Sequence, residues 1–203
     1  MSNLVLVRHG ESKWNSIGVW TGLTDIGLTE NGIQKARKDG EYLKGISFDI
    51  AFTSKLQRST RSLDEIKDVL GIQDLETIEN AALNERDYGD FTGKKKLEVK
   101  KKYGEKQFLR WRRGWNCPIP GGETLKDVYQ RVSPYYEKRI LPELKKGKNV
   151  LIVAHGNSLR ALVKYLENIP EKEIPRLEIA TGEIYIYQMD KNGKILNKQI
   201  KNP

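Results

Sequence analysis

Two stretches decide how this chain folds: Leu4-Val5-Leu6-Val7-Arg8-His9-Gly10-Glu11-Ser12 and Leu151-Ile152-Val153-Ala154-His155-Gly156-Asn157-Ser158. Each is a short apolar run that is followed within two residues by His-Gly. Such a run, bounded by polar residues, reads as a strand buried on both faces, as in a parallel sheet. Phe48-Asp49-Ile50-Ala51-Phe52 is a third run, with Leu75-Glu76-Thr77-Ile78 as a partner, and Glu183 to Met189 is rich in β-favouring Ile and Tyr. Helical patterns lie between them. Thr29 reads as an N-cap, with Ile33, Ala36, Gly40 and Leu43 on one face behind it and Leu28 stapled to Ile33. Leu63, Ile66, Val69 and Leu70 give helical spacing within 56–70. Thr124 and Asp127 form a capping box ahead of Leu125, Val128 and Val132, with Pro134 set to kink or end that helix, and Asn157 is placed to cap a helix over 158–167. This alternation predicts an α/β fold, a three-layer α/β/α sandwich around a mostly parallel central sheet.

The rest of the chain bounds the possibilities. Its 203 residues suit one domain, with no linker to divide it. Hydrophobic residues make up 37% and charged residues 31%, with a mean hydropathy of −0.64, and no apolar run nears the roughly 20 residues that span a bilayer. The opening lacks the basic start and small-residue cleavage site of a signal peptide and reads as a first strand. A lone Cys117 leaves no internal disulfide and fits a reducing, cytoplasmic setting. Two histidines rule out a His-rich metal site. The net charge of +9 suits an anionic partner, and composition admits nucleic acid, a membrane or a small phosphorylated substrate.

Residues 84–123 break the alternation. They hold Lys94-Lys95-Lys96, Lys100-Lys101-Lys102, Arg110-Trp111-Arg112-Arg113 and Trp115, and run into Pro118-Ile119-Pro120-Gly121-Gly122. A basic, aromatic insertion of this length, without a strong apolar stripe, is expected to cover a site. On residues alone, the Arg112 and Arg113 cluster between Trp111 and Trp115 could instead be a nucleic-acid stacking patch, a remote alternative because it leaves the two strand-end histidines unexplained.

The chemistry centres on the histidines. Ligands of open α/β sheets bind beyond the carboxyl ends of the strands, where His9 and His155 can face one crevice. Arg8 precedes His9, and Arg58 follows the third strand in Thr53-Ser54-Lys55-Leu56-Gln57-Arg58. Guanidinium groups bind phosphate oxygens in bidentate fashion, so an imidazole among them points to phosphoryl transfer with histidine as nucleophile. No Walker-type loop and no carboxylate cluster for Mg²⁺ accompanies them.

The segment LVLVRHGESKWN resembles the signature of the histidine phosphatase (phosphoglycerate mutase-like) superfamily. The blocks WTGLTDIGLTENG, FTSKLQRS, LNERDYGDFTGKKK, KYGEKQFLRWRRGW and AHGNSLRALVKYLENI, in that order across nearly the whole chain, resemble its cofactor-dependent phosphoglycerate mutases. The resemblance implies a phosphoglycerate mutase-like fold. It implies interconversion of 3-phosphoglycerate and 2-phosphoglycerate through a phosphohistidine on His9, primed by 2,3-bisphosphoglycerate and needing no metal. It places Arg8, Arg58, His155 and the Gly156 backbone around the phosphate, with Ser12, Asn15, Thr21 and Gly22 as further donors. Glu85 becomes the general acid/base. Arg86, Tyr88, Lys96, Arg112 and Arg113 are assigned to the substrate carboxylate and second phosphate, and Asn157 to the same pocket. The partners implied are small phosphorylated three-carbon acids, with neither nucleic acid nor membrane, and the assembly a homodimer or monomer.

Three features depart from the mutases. The link after Trp115 is short, and its Pro120-Gly121-Gly122-Glu123-Thr124 resembles phosphatase members of the superfamily. Asp87 stands where mutases usually carry His, a negative charge unfavourable to a bisphosphate if it points inward. The tail after Gln188 lacks the usual aromatic ending, which in the family helps keep water from the phosphohistidine. A phosphomonoesterase using the same His9 is therefore the nearest rival.

Overall fold

The structure, a computed structural model, describes residues 1–202. One six-stranded sheet organises it, built from β1 (Ser2–Arg8), β2 (Ile50–Thr53), β3 (Thr77–Glu79), β4 (Val150–Ala154), β5 (Ile184–Met189) and β6 (Ile195–Lys201) in the order β3-β2-β4-β1-β5-β6. β3, β2, β4 and β1 run parallel, and β5 and β6 add an antiparallel edge. The expected fourth strand, over 75–78, begins at Thr77 and ends at Glu79. β6 escapes sequence reading because its residues are mostly exposed and carry no apolar alternation.

Among the described residues, eight α-helices accompany the sheet: α1 (Lys13–Ser16), α2 (Glu30–Leu43), α3 (Gln57–Leu70), α4 (Lys96–Tyr103), α5 (Glu105–Arg113), α6 (Leu125–Tyr135), α7 (Leu141–Lys145) and α8 (Gly156–Glu167). Successive side chains of a strand point to opposite faces, which sorts the core into two layers. Val5, Val7, Ala51, Leu151 and Val153 meet Leu43 of α2 and Leu63 and Ile66 of α3. Leu4, Leu6, Ile50, Phe52 and Ile152 meet Leu125, Val128 and Val132 of α6 and Leu159, Leu162 and Val163 of α8. That is the three-layer sandwich.

Local signals act largely as expected. Thr29 accepts from the Gly32 amide at 3.0 Å, and Thr124 and Asp127 close their capping box. Pro134 stands inside α6, and the chain stays helical through a π-helical turn at Tyr136–Ile140 into α7. α8 corrects the expected boundary: it starts at Gly156 with His155 as N-cap, because the Ser158 hydroxyl receives the His155 amide at 3.1 Å. The stretch 84–123 is more ordered than its composition suggests. α4 and α5 fold around a cluster of Trp20, Phe91, Val99, Phe108 and Ile119, so its apolar partner comes from another part of the chain.

Candidate active site

Three parallel strand ends build the site. β1 and β4 are neighbours with Arg8 opposite Ala154, so His9 and His155 leave the sheet side by side. The His9 amide donates to Ala154 at 3.0 Å, and the two rings stand edge to face, 4.8 Å between centroids. His9 Nδ1 lies 2.6 Å from the Gly10 carbonyl. A carbonyl only accepts, so Nδ1 carries the proton and Nε2 keeps its lone pair. Burial, then Arg58 and Arg8, hold the His9 pKa well below 6.5, against the pull of the Gly10 bond. His9 is thus a neutral imidazole at pH 7 with Nε2 available as a nucleophile.

β2 lies on the other side of β4 and delivers Ser54 and Arg58. Ser54 Oγ sits 2.7 Å from His155 Nε2 and 2.5 Å from Ser59 Oγ, and receives the Leu56 amide. This fixes the His155 ring and leaves Nδ1 buried with no hydrogen-bond partner. Burial and Arg58 again push the pKa well below 6.5. Arg58 is anchored through the carbonyls of Thr24 (2.9 Å) and Gly22 (2.8 Å). Arg8 donates to the Ile179 carbonyl at 2.8 Å, and its guanidinium packs against Gly156, where a Cβ would stand 3.4 Å from Arg8 Cζ. A guanidinium thus lies at the N-terminus of α8, two positive features on one spot.

Glu85 stands across the cleft. Its Oε1 accepts from the Arg86 amide (2.7 Å), the Asn157 amide (3.2 Å) and Asn157 Nδ2 (3.0 Å), leaving Oε2 for a ligand. Arg160 sets this arrangement: it donates to Asn157 Oδ1 at 2.9 Å, which turns Nδ2 toward Glu85 and toward the Tyr88 hydroxyl at 2.7 Å. Burial raises the Tyr88 pKa, so the phenol stays protonated.

The remaining wall comes from the insertion. Residues 18–20 run beside 94–96, through Trp20 to the Lys94 carbonyl and Lys96 to the Gly18 carbonyl, which brings Lys96 into the cleft. Burial, with Arg112 and Arg8 nearby, lowers the Lys96 pKa. Arg112 and Arg113 enter from the end of α5, and Arg113 pairs with Glu178 at 2.6 Å. The cleft opens to solvent, and Asn15, Thr21 and Gly22 also line it. Among the described residues, no three His, Cys, Asp or Glu side chains are grouped to hold a metal ion.

Residues 4–201 match the family model of the histidine phosphatase superfamily (branch 1). The chain belongs to that superfamily. It is 48% identical over 199 residues, 97% of this chain and 95% of the relative, to a 2,3-bisphosphoglycerate-dependent phosphoglycerate mutase of Parvibaculum lavamentivorans. It is equally identical to a phosphoglycerate mutase of Schizosaccharomyces pombe, over 97% of this chain and 94% of that one. Among solved structures, a mycobacterial glucosyl-3-phosphoglycerate phosphatase superposes with a TM-score of 0.81 at 23% identity, covering 99% of this chain and 98% of that one. YhfR of Bacillus stearothermophilus superposes with a TM-score of 0.83 at 26% identity, covering 96% and 94%.

Within this histidine phosphatase fold, most residues expected at the site line one cleft, and His155 stands behind it. Two do not line it. Arg86 is fully buried and spends its guanidinium on the carbonyls of Glu123, Trp111 and Cys117, tying the insertion together. Ser12 is buried as the N-cap of α1, exchanging hydrogen bonds with Asn15. Asp87 also stays out: its carboxylate accepts from the Gly89 amide, and its carbonyl receives Glu123 from the short Pro-Gly-Gly link. Trp20, Arg160, Glu178 and Ile179 line the cleft without having been singled out. Arg160 alone carried a signal, since it lies one helical turn beyond Asn157.

Proposed function

We propose that this chain is a 2,3-bisphosphoglycerate-dependent phosphoglycerate mutase, interconverting 3-phosphoglycerate and 2-phosphoglycerate. One observation supports this above all. The pocket around neutral His9 shares its cleft with a second cationic set, Lys96, Arg112 and Arg113, and with the open oxygen of Glu85. A ligand carrying a phosphate and a second anionic group can engage both sets at once. Full-length identity of 48% to named mutases points the same way.

The residues present fit the bisphosphorylated primer. Arg8 Nε, His155 Nδ1 and Thr21 Oγ1 are buried polar atoms with no partner in the protein, as expected of groups that meet phosphate oxygens. When bound, the primer supplies the phosphoryl group that charges His9. His9 Nε2 then gives that group to the free hydroxyl of 3-phosphoglycerate, while Glu85 Oε2 accepts the hydroxyl proton. Arg8, Arg58 and the α8 N-terminus stabilise charge on the equatorial oxygens in the transition state. After the bound molecule turns, His9 takes the other phosphate and Glu85 returns the proton. Lys96, Arg112 and Arg113 hold the end away from His9, and Asn15, Thr21, Gly22, Tyr88 and Asn157 orient the ligand. The same reading takes residues 1–203 as one domain with 84–123 covering the site. It sets the enzyme in the cytoplasm, as a homodimer or monomer acting on small phosphorylated three-carbon acids.

The short Pro-Gly-Gly link favours the rival phosphomonoesterase. Incubation with 3-phosphoglycerate and trace primer, followed by phosphorus NMR, separates the two. The expected result is 2-phosphoglycerate growing to equilibrium only when the primer is present, with His9→Ala abolishing both turnover and phosphoenzyme. Release of inorganic phosphate without 2-phosphoglycerate would replace the mutase reading with the phosphatase.

A further inference from the structure

Among the described residues lining the cleft, Glu178 is the one carboxylate besides Glu85, and the transfer chemistry does not use it. Its presence in a cleft built for anions is unexpected. It stands on the segment between the 3₁₀ turn at Glu171–Arg176 and β5, and its oxygen pairs with Arg113 at 2.6 Å. Arg113 comes from a neighbouring segment, the end of α5.

Both backbones are anchored without this pair. Arg160 donates to the Leu177 and Arg113 carbonyls at 2.9 and 2.8 Å, and Arg8 donates to Ile179. The movable parts are therefore the side chains, Glu178 55% exposed and Arg113 21% exposed. With its Glu178 side open to solvent the pair is only modestly held, so a ligand anion can replace that partner without disturbing the wall. Arg113, with Arg112 and Arg8 adding to it, holds the Glu178 carboxyl below its ordinary range, consistent with its facing the ligand's own counter-charges.

We propose that Glu178 is an internal competitor for Arg113: it occupies that guanidinium before a ligand arrives and is displaced by the ligand's outer anionic group. Glu178 is on this account an affinity-setting residue that keeps a strongly cationic cleft from retaining its anionic product. Only the identity of the ligand, not the competition, rests on the mutase reading.

Glu178→Gln keeps the shape and removes the charge. The KM for 3-phosphoglycerate and the equilibrium Kd of unphosphorylated protein for 3-phosphoglycerate and for inorganic tripolyphosphate would be compared with the parent. The expected result is binding tighter by roughly two- to five-fold, the range an exposed pair supports. The gain should vanish in the Arg113→Gln background, since the competition acts through that guanidinium. Unchanged or weaker binding in Glu178→Gln would overturn the proposal and make the pair a clasp that positions Arg113. A gain that persists in the Arg113→Gln background would overturn it as well. A parent protein that binds tripolyphosphate but does not turn over 3-phosphoglycerate would defeat the mutase reading alone, and the tripolyphosphate comparison would still decide the role of Glu178.

Discussion

In the proposed reaction His9 attacks phosphorus only while Nε2 keeps its lone pair, and three local facts favour that state: Nδ1–H donates to the Gly10 carbonyl, burial penalises the charged ring, and Arg58 and Arg8 repel it. Glu85 is held with equal care, since Asn157 and the Arg86 amide take Oε1 and leave Oε2 open for the proposed proton exchange. Glu85→Gln preserves the shape and can still accept these hydrogen bonds, but no longer takes up the substrate proton. Its kcat is expected to fall by about 100-fold or more, the usual weight of a positioned acid/base, with KM little changed. A variant with parent kcat would remove Glu85 from that role.

At the scale of elements, the His-Gly pair is a packing requirement as much as a chemical one. A Cβ on Gly10 would stand 2.1 Å from the Gly32 carbonyl, and one on Gly32 would stand 2.1 Å from that of Glu11. The loop after β1 and the first turn of α2 therefore touch backbone to backbone, and Thr29 seals the contact by donating its amide to Glu11 at 2.9 Å. Gly10→Ala must push α2 away from the loop that carries His9. A stability loss of about 1–3 kcal/mol is expected, as for other overpacked sites. Phosphoenzyme formation should slow with it, because the Gly10 carbonyl holds the His9 tautomer. Denaturant unfolding and rapid-quench phosphorylation of the same variant check both effects; a stable variant with parent kinetics would refute the tight contact.

Over the whole molecule, buried titratable groups make stability depend on pH in opposing directions. His9 and His155 have folded pKa values well below 6.5, so below pH 6.5 the unfolded chain binds protons that the folded one refuses. Their contribution is complete above pH 6.5 and is lost as pH falls, by about 1.4 kcal/mol per unit for each ring. Asp39 of α2 works the other way. Burial, only partly offset by Lys35 at 3.8 Å, pushes its carboxyl up to about 7, so in the same window the folded state holds a proton that the unfolded one has released. Between pH 6.5 and 5, the parent should lose about 1.4 kcal/mol per unit and Asp39→Asn about twice that. Unfolding in urea at several pH values measures it, and equal slopes for parent and variant would contradict the buried state of Asp39.

The sequence by itself determined the layers, the strand ends and the meeting of the two histidines. Apolar runs, caps and helical spacing are local properties, and two strands that each lead into His-Gly in a parallel sheet bring their histidines to one edge. Three things were decided only by tertiary structure. Arg86 and Ser12 read as ligand groups until packing committed them to the Glu123, Trp111 and Cys117 carbonyls and to the α1 cap. The basic stretch 94–113 lacks an apolar stripe of its own, and its helices are fixed by Trp20, more than seventy residues upstream. Arg160 and Glu178 were not singled out in the sequence, yet one orients Asn157 and the other pairs with Arg113 beside the cleft. A side chain's type sets what it can bond to, but only the folded chain decides which partner lies within 3 Å, and that choice separates a structural arginine from a ligand-binding one.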